Sequence, residues 1–481
     1  MILPGLVGPS YRSASVAADP AECINWLVEG LNDANAKAQA RLAPCPGFTE
    51  FADLSPGPIR AQFKTTDDRL FVVSGFNFYE VDSAGTGTVR GTVAVDGLPA
   101  TICSNGAAGG QLFITAGDLG YCYDLNTNTL TKELASGAAM GAFLSNRFIA
   151  LNSDLSLIRY SGIDDGTAWD PTYFAQRSLA GDPWVSMKVV NSELWLLGSL
   201  TSEVWTTQHD FQDPFAPIPG AVFNMGNAAP FSMETINSIL CWVGQSTEGA
   251  GTIVRANGYA AERISTHPVE SAIQSYINLA DAVSFSYVDE GHMFWVCNFV
   301  DGGRSWCWDA VTNLWHERGY WNPLTYEFEA LRVNQHCVGF GKTHLVGDRD
   351  GGILYLMDNQ TATDVDGSGM RRLRVFRGPE SEDEEMMFLP WLQIDMQTGI
   401  GTSTGQGVDP QAMLQVSRDG GRTWDAELWA PIGKIGQYGA QVVWRMLGAA
   451  RNFVFRLVVA DPVYPVTLFK ASCRNVVKGT S

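Results

Sequence analysis

Short hydrophobic runs alternate with polar turns through the greater part of the chain. Between residues 59 and 359, an apolar run of four or five residues is followed by a turn rich in Gly, Asn or Asp and then by a second, aromatic-rich run. Such runs, bounded by turn residues, predict β-hairpins. The seven predicted hairpins are Arg69–Val73 with Phe78–Val81, Gln111–Ile114 with Tyr121–Tyr123, Arg147–Leu151 with Leu157–Tyr160, Glu193–Leu197 with Glu203–Trp205, Ile239–Val243 with Ile253–Arg255, His292–Val296 with Ser305–Trp308, and Thr343–Val346 with Ile353–Leu356.

These hairpins recur at intervals of 36 to 54 residues. A single hairpin cannot bury its own hydrophobic face, and hairpin repeats of roughly 40–50 residues are typical of β-propellers, whose blades pack radially and protect their edges. We therefore predict an all-β fold with a six- or seven-bladed β-propeller over residues 59–359. A β-sandwich or a stack of sheets is the alternative, because the intervals are uneven.

The C-terminal part, residues 387–481, carries a different β pattern, and we predict an additional β-sandwich-like domain there. Its apolar runs Gln441–Trp444 and Phe453–Val459 predict strands. It also contains one S-x-D-G-G-x-T-W motif, an Asp box, formed by Ser417, Asp419, Gly420, Gly421, Thr423 and Trp424. The glycines permit a turn with positive φ, the aspartate can accept hydrogen bonds from its own turn, and the tryptophan supplies an apolar side chain. We predict a structural role for this motif.

Two further segments complete the predicted organisation. Residues 1–58 are expected to be extended and to join the terminal β domain. Residues 360–386 predict a charged linker, in which Arg371, Arg372, Arg374 and Arg377 form a basic strand followed by an acidic run. These opposite charges suit either a subunit contact or two solvated faces.

Two local patterns resemble functional sites, a calcium loop and a catalytic histidine, but a structural role explains each of them better. Asp364, Asp366, Ser368 and Gly369 match the first positions of a calcium loop, but Val375 occupies the twelfth position, where that loop needs a bidentate Glu. No metal or other cofactor is therefore predicted.

The second pattern is a helix predicted over Ser265–Ile277, with a Ser or Thr cap, Pro268 in its first turn and apolar residues at helical spacing. His267 lies beside the cap, and we predict a structural role for it rather than a role as a catalytic base.

The composition fits a turn-rich, closely packed β protein. The 481 residues include 50 Gly and 15 Trp, and only 17% are charged. There is no apolar run of about 18 residues, so no membrane-spanning helix is predicted, and no signal peptide is expected at the N-terminus. The nine cysteines are scattered and form no C-x-x-C motif, which predicts free thiols in a protein made in a reducing cytosol.

The formal charge of −19 bears on possible partners. A protein that grips nucleic acid neutralises phosphates with Lys and Arg, so this charge argues against such binding. It is compatible with a surface that DNA must slide past, because like charges repel. Simple solubility explains the charge equally well.

No familiar catalytic motif is present. The sequence contains no G-x-S-x-G, H-E-x-x-H or P-loop. The enzymatic alternative is a sialidase-like glycosidase, since propellers with Asp boxes host that chemistry. Such enzymes carry Asp boxes in several blades, whereas this chain has one, outside the repeats. A propeller that only binds partners is a third possibility.

Several stretches together resemble a phage protein family. They are the Asp box, Leu428–Gly436, Trp444-Arg445, Val454–Leu457 and Asp461-Pro462, supported by Asn25–Leu27, Pro46–Phe48 and the S-x-H-x-V-E pattern of Ser265–Glu270. This order is similar to that of the packaged-DNA stabilisation proteins, or tail hub (nozzle) proteins, of short-tailed bacteriophages. The match of the propeller repeats is one of pattern rather than of individual residues.

The resemblance implies a non-enzymatic virion protein of the tail, made in the bacterial host cytoplasm. It implies a homohexameric ring below the head-to-tail adaptor, with a tail needle, plug or tailspike as further partners and double-stranded DNA passing through the lumen without sequence-specific contacts. Acidic residues are the candidates for lining that channel. They are the run Glu380, Glu382, Asp383, Glu384 and Glu385 and the loop residues Asp164, Asp165, Asp210 and Asp213.

Overall fold

The computed structural model describes residues 1–16, 18–31, 38–177, 179–210, 212–380, 385–474 and 476–478. It is 52% strand and 4% helix. The N-terminal segment contains β1 (Ile2–Leu3), β2 (Tyr11–Arg12), β3 (Pro20–Ile24), β4 (Trp26–Gly30), β5 (Ala40–Pro44) and β6 (Gly47–Asp53).

Seven antiparallel sheets, the blades, follow along the chain. The first three contain β7 (Ile59–Lys64), β8 (Leu70–Ser74), β9 (Asn77–Val81) and β10 (Gly87–Thr92); then β11 (Thr101–Ser104), the one-turn helix α1 (Gly106–Gly109), β12 (Gln111–Ala116), β13 (Leu119–Asp124) and β14 (Thr129–Leu134); then β15 (Met140–Leu144), β16 (Arg147–Asn152), β17 (Leu157–Tyr160) and β18 (Phe174–Gln176).

The remaining blades repeat this order with two variations. Blade four holds β19 (Trp184–Val190), β20 (Glu193–Gly198), β21 (Ser202–Thr207) and β22 (Phe215–Phe223); blade five holds β23 (Gly226–Asn227), β24 (Glu234–Ile236), β25 (Ile239–Ser246), β26 (Gly249–Ala256) and β27 (Ala261–Arg263), followed by helix α2 (His267–Gln274). Blade six holds β28 (Val283–Asp289), β29 (His292–Phe299), β30 (Arg304–Asp309) and β31 (Leu314–Arg318), followed by the hairpin β32 (Tyr320–Asn322) and β33 (Glu327–Glu329); blade seven holds β34 (Val333–Gly339), β35 (Thr343–Asp348) and β36 (Ile353–Asp358).

The blades form a closed ring. The first strands of neighbouring blades contact one another from β7 through β11, β15 and β19, then across the 3-10 turn Pro230–Ser232 to β28 and β34, and β34 returns to β7. Each pair of neighbouring blades encloses its own hydrophobic cluster, which makes seven clusters around the ring. The predicted all-β fold with a propeller is confirmed, and the seven predicted hairpins are the second and third strands of seven blades.

Burial on both faces explains why the hairpin strands are continuously apolar. All five residues of β8 are buried, as are all six of β16. Turn chemistry sets the repeat as well. The hairpins that open blades three, four and five turn at Ser145-Asn146, Asn191-Ser192 and Asn237-Ser238, and both residues of each turn have positive φ. A two-residue turn with positive φ at both positions matches the twist of the flanking strands.

The N-terminal segment is divided between two regions. The strand β6 pairs with β36 and becomes the outer strand of blade seven, so the ring is closed by a strand that precedes it in sequence. The strands β4 and β5 lie instead in the terminal β domain. The prediction that all of residues 1–58 join the terminal domain is therefore wrong for β6. The physical reason is that the third strand of blade seven would otherwise leave its backbone donors and acceptors unpaired.

The terminal domain is a sandwich of two sheets. Its C-terminal strands are β37 (Arg372–Arg377), β38 (Met387–Phe388), β39 (Trp391–Met396), β40 (Gln411–Ser417), β41 (Leu428–Pro431), β42 (Val442–Arg445), β43 (Ala449–Ala450), β44 (Val454–Val459), β45 (Leu468–Cys473) and β46 (Val477–Lys478). One sheet has the order β4-β5-β45-β39-β42, with β1 on β45, and the other runs β3-β37-β44-β40-β41, with β2 on β3. Their shared core takes Leu3, Leu6, Trp26 and Leu42 from the N-terminal segment.

The sandwich and the propeller share one continuous sheet. Within β3, Ile24 pairs in parallel with Glu317 of blade six and antiparallel with Leu373 of β37. The predicted linker over residues 360–386 is therefore wrong at its centre, where β37 lies between β3 and β44. Its basic residues are not all solvated either, because Arg372 and Arg374 are fully buried on the inner face of this strand.

The predictions for the helix and for the cysteines can be compared with the structure. Helix α2 is present but shorter than predicted, with Thr266 at its N-cap and Pro268 in its first turn. His267 Nδ1 lies 3.2 Å from Arg263 Nη2 on the surface. Seven of the nine cysteines are buried, and burial raises the pKa of Cys23 to about 12. Their thiols therefore act as small apolar groups.

Candidate functional site

The Asp box is a self-contained turn on the sandwich. Asp419 accepts hydrogen bonds from the backbone N–H groups of Arg422 and Thr423, both at 2.9 Å, and from the hydroxyls of Thr423 and Ser417, both at 2.7 Å. These bonds, those from Thr423 first, hold the pKa of Asp419 below its ordinary value of 3.8. Gly420 and Gly421 have φ of 78° and 96°. The carboxylate is thus occupied by its own turn.

Trp424, the tryptophan of this motif, packs against the sheet that contains β37, β44 and β40. Trp424 packs beside the buried cluster that includes Met413 and Val458, and the guanidinium carbon of Arg456 lies 4.1 Å from the centre of its ring. The turn therefore fixes an indole on the outer face of the β37-β44-β40 sheet.

Of the acidic residues proposed from the sequence as channel lining, Asp164 and Asp165 lie on a loop of blade three, and Asp210 and Asp213 lie on a loop of blade four. Asp164 accepts a hydrogen bond from Asn146 at 2.7 Å, and Asp165 accepts two from Thr167, so both hold the loop between the third and fourth strands of blade three. Asp210 caps the corresponding loop of blade four through the N–H groups of Gln212 and Asp213. These four residues stay predictions as lining groups.

Only part of the acidic run Glu380–Glu385 lies within the described residues. Glu380 is exposed and forms an ion pair with Arg377. Glu385 is partly buried. Glu382, Asp383 and Glu384 lie outside the described residues.

A feature that sequence reasoning missed is how unevenly the charge is distributed. Residues 47–358 contain 34 Asp and Glu and 16 Lys and Arg, a formal charge of −18 out of the total of −19. Residues 387–481 contain six acidic and nine basic residues, a charge of +3. A count per region would have found this signal once the domain boundaries were known.

The propeller has a narrow central channel. Its walls are the first strands of the seven blades, and its cavity has a volume of about 480 Å³. Apolar side chains such as Phe63, Phe143, Met187 and Phe231 line it together with Lys188 and Glu234, which form a 2.5 Å ion pair. Apolar and charged side chains thus form the wall of this channel.

A larger cavity lies where the propeller meets the sandwich. This junction cleft, of about 710 Å³, is lined by Trp321 and Tyr326 of the blade-six hairpin, by Arg371, Gln415 and Arg456 on the sandwich sheet, and by Glu427 at the end of the Asp-box loop. The sequence separates these residues by up to 135 positions. Only the tertiary structure assembles them.

Two guanidinium groups of the cleft lie flat on indole rings. The guanidinium carbon of Arg371 is 4.0 Å from the centre of Trp321, and that of Arg456 is 4.1 Å from the centre of Trp424. Neither Nε atom has a hydrogen-bond partner among the residues that the structure describes. Burial lowers the pKa of Arg371, with Glu427 opposing and Arg456 adding to that change. Arg456 Nη1 donates to Gln415 Oε1 at 3.3 Å, and no carboxylate forms an ion pair with either arginine among the described residues, so the stacked guanidinium groups keep part of their donor capacity.

Among the described residues, no three His, Cys, Asp or Glu side chains are placed to hold a metal ion. No described helix is long and apolar enough to cross a membrane.

The fold defines a class of protein: an all-β protein in which a seven-bladed propeller and a β-sandwich share a sheet. Two family models match the chain, "Bacteriophage P22 Gp10, beta-propeller" over residues 27–362 and "Bacteriophage P22 Gp10, beta-sandwich" over residues 380–474. The chain belongs to this bacteriophage P22 Gp10 family, whose members are structural proteins of the phage tail. The resemblance inferred from the sequence is confirmed.

Other comparisons are with solved structures of low sequence identity. A streptogramin B lyase structure aligns over 65% of this chain and 98% of its own, at 10% identity and a TM-score of 0.45. A virginiamycin B lyase from Staphylococcus aureus covers 65% and 99% at 10% identity and a TM-score of 0.44, and a chain of the Mitotic Checkpoint Complex covers 69% and 98% at 10% identity and a TM-score of 0.39. Likeness at this level carries no argument about function. A search of curated protein sequences finds no match.

Proposed function

We propose that this chain is the tail hub, or nozzle, of a short-tailed phage. Six copies form a ring below the head-to-tail adaptor, extend the DNA channel and help to retain the packaged genome. The observation that carries this proposal is the match of both domains to one phage tail family over residues 27–362 and 380–474. The ring, its partners and its contact with DNA go beyond that match.

The distribution of charge supports a wall that DNA passes without sticking. Sequence-independent binding of DNA requires Lys and Arg that neutralise phosphates. The propeller instead carries −18, and a surface of that sign repels the duplex. The propeller would therefore act as a rigid, non-adhesive part of the channel wall.

The DNA path would run between the six copies rather than through any one propeller. A cavity of about 480 Å³ corresponds to a cube with an edge of roughly 8 Å, whereas the major groove of B-DNA alone is about 12 Å wide. A lumen wide enough for a duplex would thus need the ring.

Rigidity would come from the closed propeller and from the shared sheet. The strand β6 removes the free edge of blade seven, and β3 joins blade six to the sandwich. The sandwich would hold the adaptor and the neighbouring subunits, and a needle, plug or tailspike would attach below. The mechanism is then mechanical and electrostatic, with no catalytic step.

The glycosidase alternative loses its structural basis. The Asp box lies on the sandwich and not in a blade, and the carboxylate of Asp419 is engaged by four hydrogen bonds from its own turn.

The direct test is an electron cryo-microscopy reconstruction of the virion that encodes this chain. We expect six copies below the adaptor, with DNA or a DNA-sized lumen on the six-fold axis. Absence of the chain from the tail, or a location remote from the channel, would contradict the proposal. Light scattering of the purified chain, alone and with the adaptor, would measure whether the adaptor is needed for assembly.

A further inference from the structure

We infer that the junction cleft is one half of the contact between neighbouring copies in the ring, and that its occupant is an acidic surface of the adjacent copy's propeller. This inference rests on the proposed ring and deepens it by naming the surface and the chemistry of its partner. A ring needs head-to-tail contacts, in which two different patches of the same chain meet. The junction cleft supplies one patch, and the exposed carboxylates of residues 47–358 supply the other.

The floor of the cleft offers two guanidinium groups to an incoming acceptor. Arg371 and Arg456 lie against Trp321 and Trp424, and both side chains are partly exposed. The stacking orients the groups, so little side-chain freedom is lost when a carboxylate binds. Two like charges that face the same cavity repel each other, and a carboxylate between them would relieve that repulsion.

The other two arginines that line the cleft are already paired with carboxylates. Arg12 lies 2.6 Å from Glu22, and Arg304 lies 2.9 Å from Glu317. The cleft therefore contains two arginines that are paired with carboxylates and two that are not, among the described residues. Glu327 and Glu427 also line the cleft, and Glu427 is the opposite charge that acts on Arg371.

The rim of the cleft has the composition of a protein contact. Tyr326 is 76% exposed, Leu324 beside it at the tip of the same hairpin is 88% exposed, and Trp429 is 61% exposed. Trp429 pairs with Met413, and Gln415 two residues further along lies in the cleft, so the indole stands on the same face of the sheet. Aromatic and Arg side chains dominate the energetically important part of protein interfaces.

Charge selects the partner. The propeller carries −18, while the C-terminal part of the sandwich, residues 387–481, carries +3. With residues 1–46 and 359–386 included, the sandwich side carries −1, so a contact of sandwich on sandwich gains nothing from charge, whereas its C-terminal part on the propeller joins opposite charges. The same rule disfavours propeller on propeller.

The first experiment reverses the charge in the cleft. In Arg371→Glu/Arg456→Glu we expect at least a tenfold rise in the protomer concentration needed for ring assembly, measured by light scattering with the adaptor present. The matched control is Arg451→Glu, an exposed arginine of the sandwich, which should assemble as wild type. Thermal unfolding checks that the sandwich still folds. If the charge reversal unfolds the sandwich, Arg371→Gln/Arg456→Gln is used instead, with the same expected rise. Assembly of the folded variant at the wild-type concentration would overturn the inference.

The second experiment identifies the occupant. Arg371→Lys and Arg456→Lys keep the charge and place an amine in the cleft, which a carbodiimide can join directly to a carboxylate. Rings are assembled from equal amounts of ¹⁴N and ¹⁵N chain, so that mass spectrometry separates links within a chain from links between chains. We expect mixed-isotope links from the new amine at position 371 or 456 to peptides of residues 47–358. Links within one chain alone, or mixed links to sandwich peptides, would overturn the inference.

The two proposals fail in different ways. If the wild-type chain forms no ring in the virion, the proposed function is wrong. If the ring is present and both charge-altered variants assemble as wild type, the ring stands and the cleft is not its contact.

Discussion

Two buried arginines, Arg177 of the propeller and Arg374 of the sandwich, have different kinds of partner. Between blades three and four, Arg177 Nε donates to Glu203 at 2.8 Å, and Glu203 is wholly buried. In the sandwich, Arg374 donates to the backbone carbonyls of Leu6 at 2.7 Å, Gly5 at 2.8 Å and Pro9 at 3.0 Å. The first group has a carboxylate partner, and the second is held by carbonyl oxygens.

The difference reflects how each region is assembled along the chain. The partners Arg177 and Glu203 are 26 residues apart, whereas Arg374 and Leu6 are 368 apart. A blade is built from consecutive hairpins, so Arg177 meets a partner nearby in the chain. The sandwich needs both ends of the chain, and Arg374 fixes an N-terminal segment that has few side chains of its own to offer. The propeller should therefore tolerate loss of the N-terminal residues that the sandwich cannot lose.

Deletion of residues 1–24 should have the largest effect and should separate the two regions. It removes Leu3 and Leu6, which are fully buried in the sandwich core and contribute about 3–6 kcal/mol together, and it leaves Arg374 without its carbonyl partners. It keeps β6, so blade seven stays closed. We expect hydrogen exchange to show loss of protection over residues 387–474 and over β31, which loses its partner β3, and retention over the rest of 59–358. Equal loss in both regions would break the comparison.

Arg177→Met should destabilise the propeller by about 3–5 kcal/mol, because it leaves the buried carboxylate of Glu203 without its cation. Urea unfolding followed by tryptophan fluorescence measures the loss. The double variant Arg177→Met/Glu203→Leu removes both charges and should recover most of the stability. A single variant as stable as wild type would show that Glu203 is solvated by another route.

Arg374→Met should cost the sandwich about 2 kcal/mol, within the range for buried polar groups that lose a partner. The loss is expected to be smaller than at Arg177 because it leaves neutral carbonyls rather than a charge. The same urea experiment measures it, together with exchange of the N–H groups of residues 2–12. An effect larger than that of Arg177→Met would reverse the ranking of the two regions.

Asp419→Asn should have the smallest effect, confined to the Asp-box turn. The pKa of Asp419 is lowered by its hydrogen bonds, so the charged form stabilises the folded state. This stabilisation is fully present above the ordinary value of 3.8 and is lost as the pH falls through the lowered pKa. Thermal unfolding of wild type and variant should therefore differ at pH 7 and converge as the pH falls well below 3.8. A difference that stays constant with pH would exclude the carboxylate as its source.

Several features of the fold followed from local sequence alone. The seven hairpins are recognisable as apolar runs because both faces of a blade are buried. Turn pairs such as Ser145-Asn146 lie directly before the second strand of a blade and mark where the hairpin begins, because both residues need positive φ. The Asp box predicted its own hydrogen bonds for the same reason: Ser417, Asp419 and Thr423 lie within one turn. The phage family was also recognisable from the C-terminal motif.

The tertiary structure decided what pairs over long distances. That β6 closes blade seven, that β3 joins blade six to β37, and that Arg372 and Arg374 are buried rather than solvated are all set by strand partners hundreds of residues away. The junction cleft is of the same kind, because it takes residues from the hairpin after blade six and from three parts of the sandwich. Side-chain alternation and turn dihedrals are local and are therefore encoded in short stretches, whereas the choice of a neighbouring strand depends on which edges the rest of the fold leaves open.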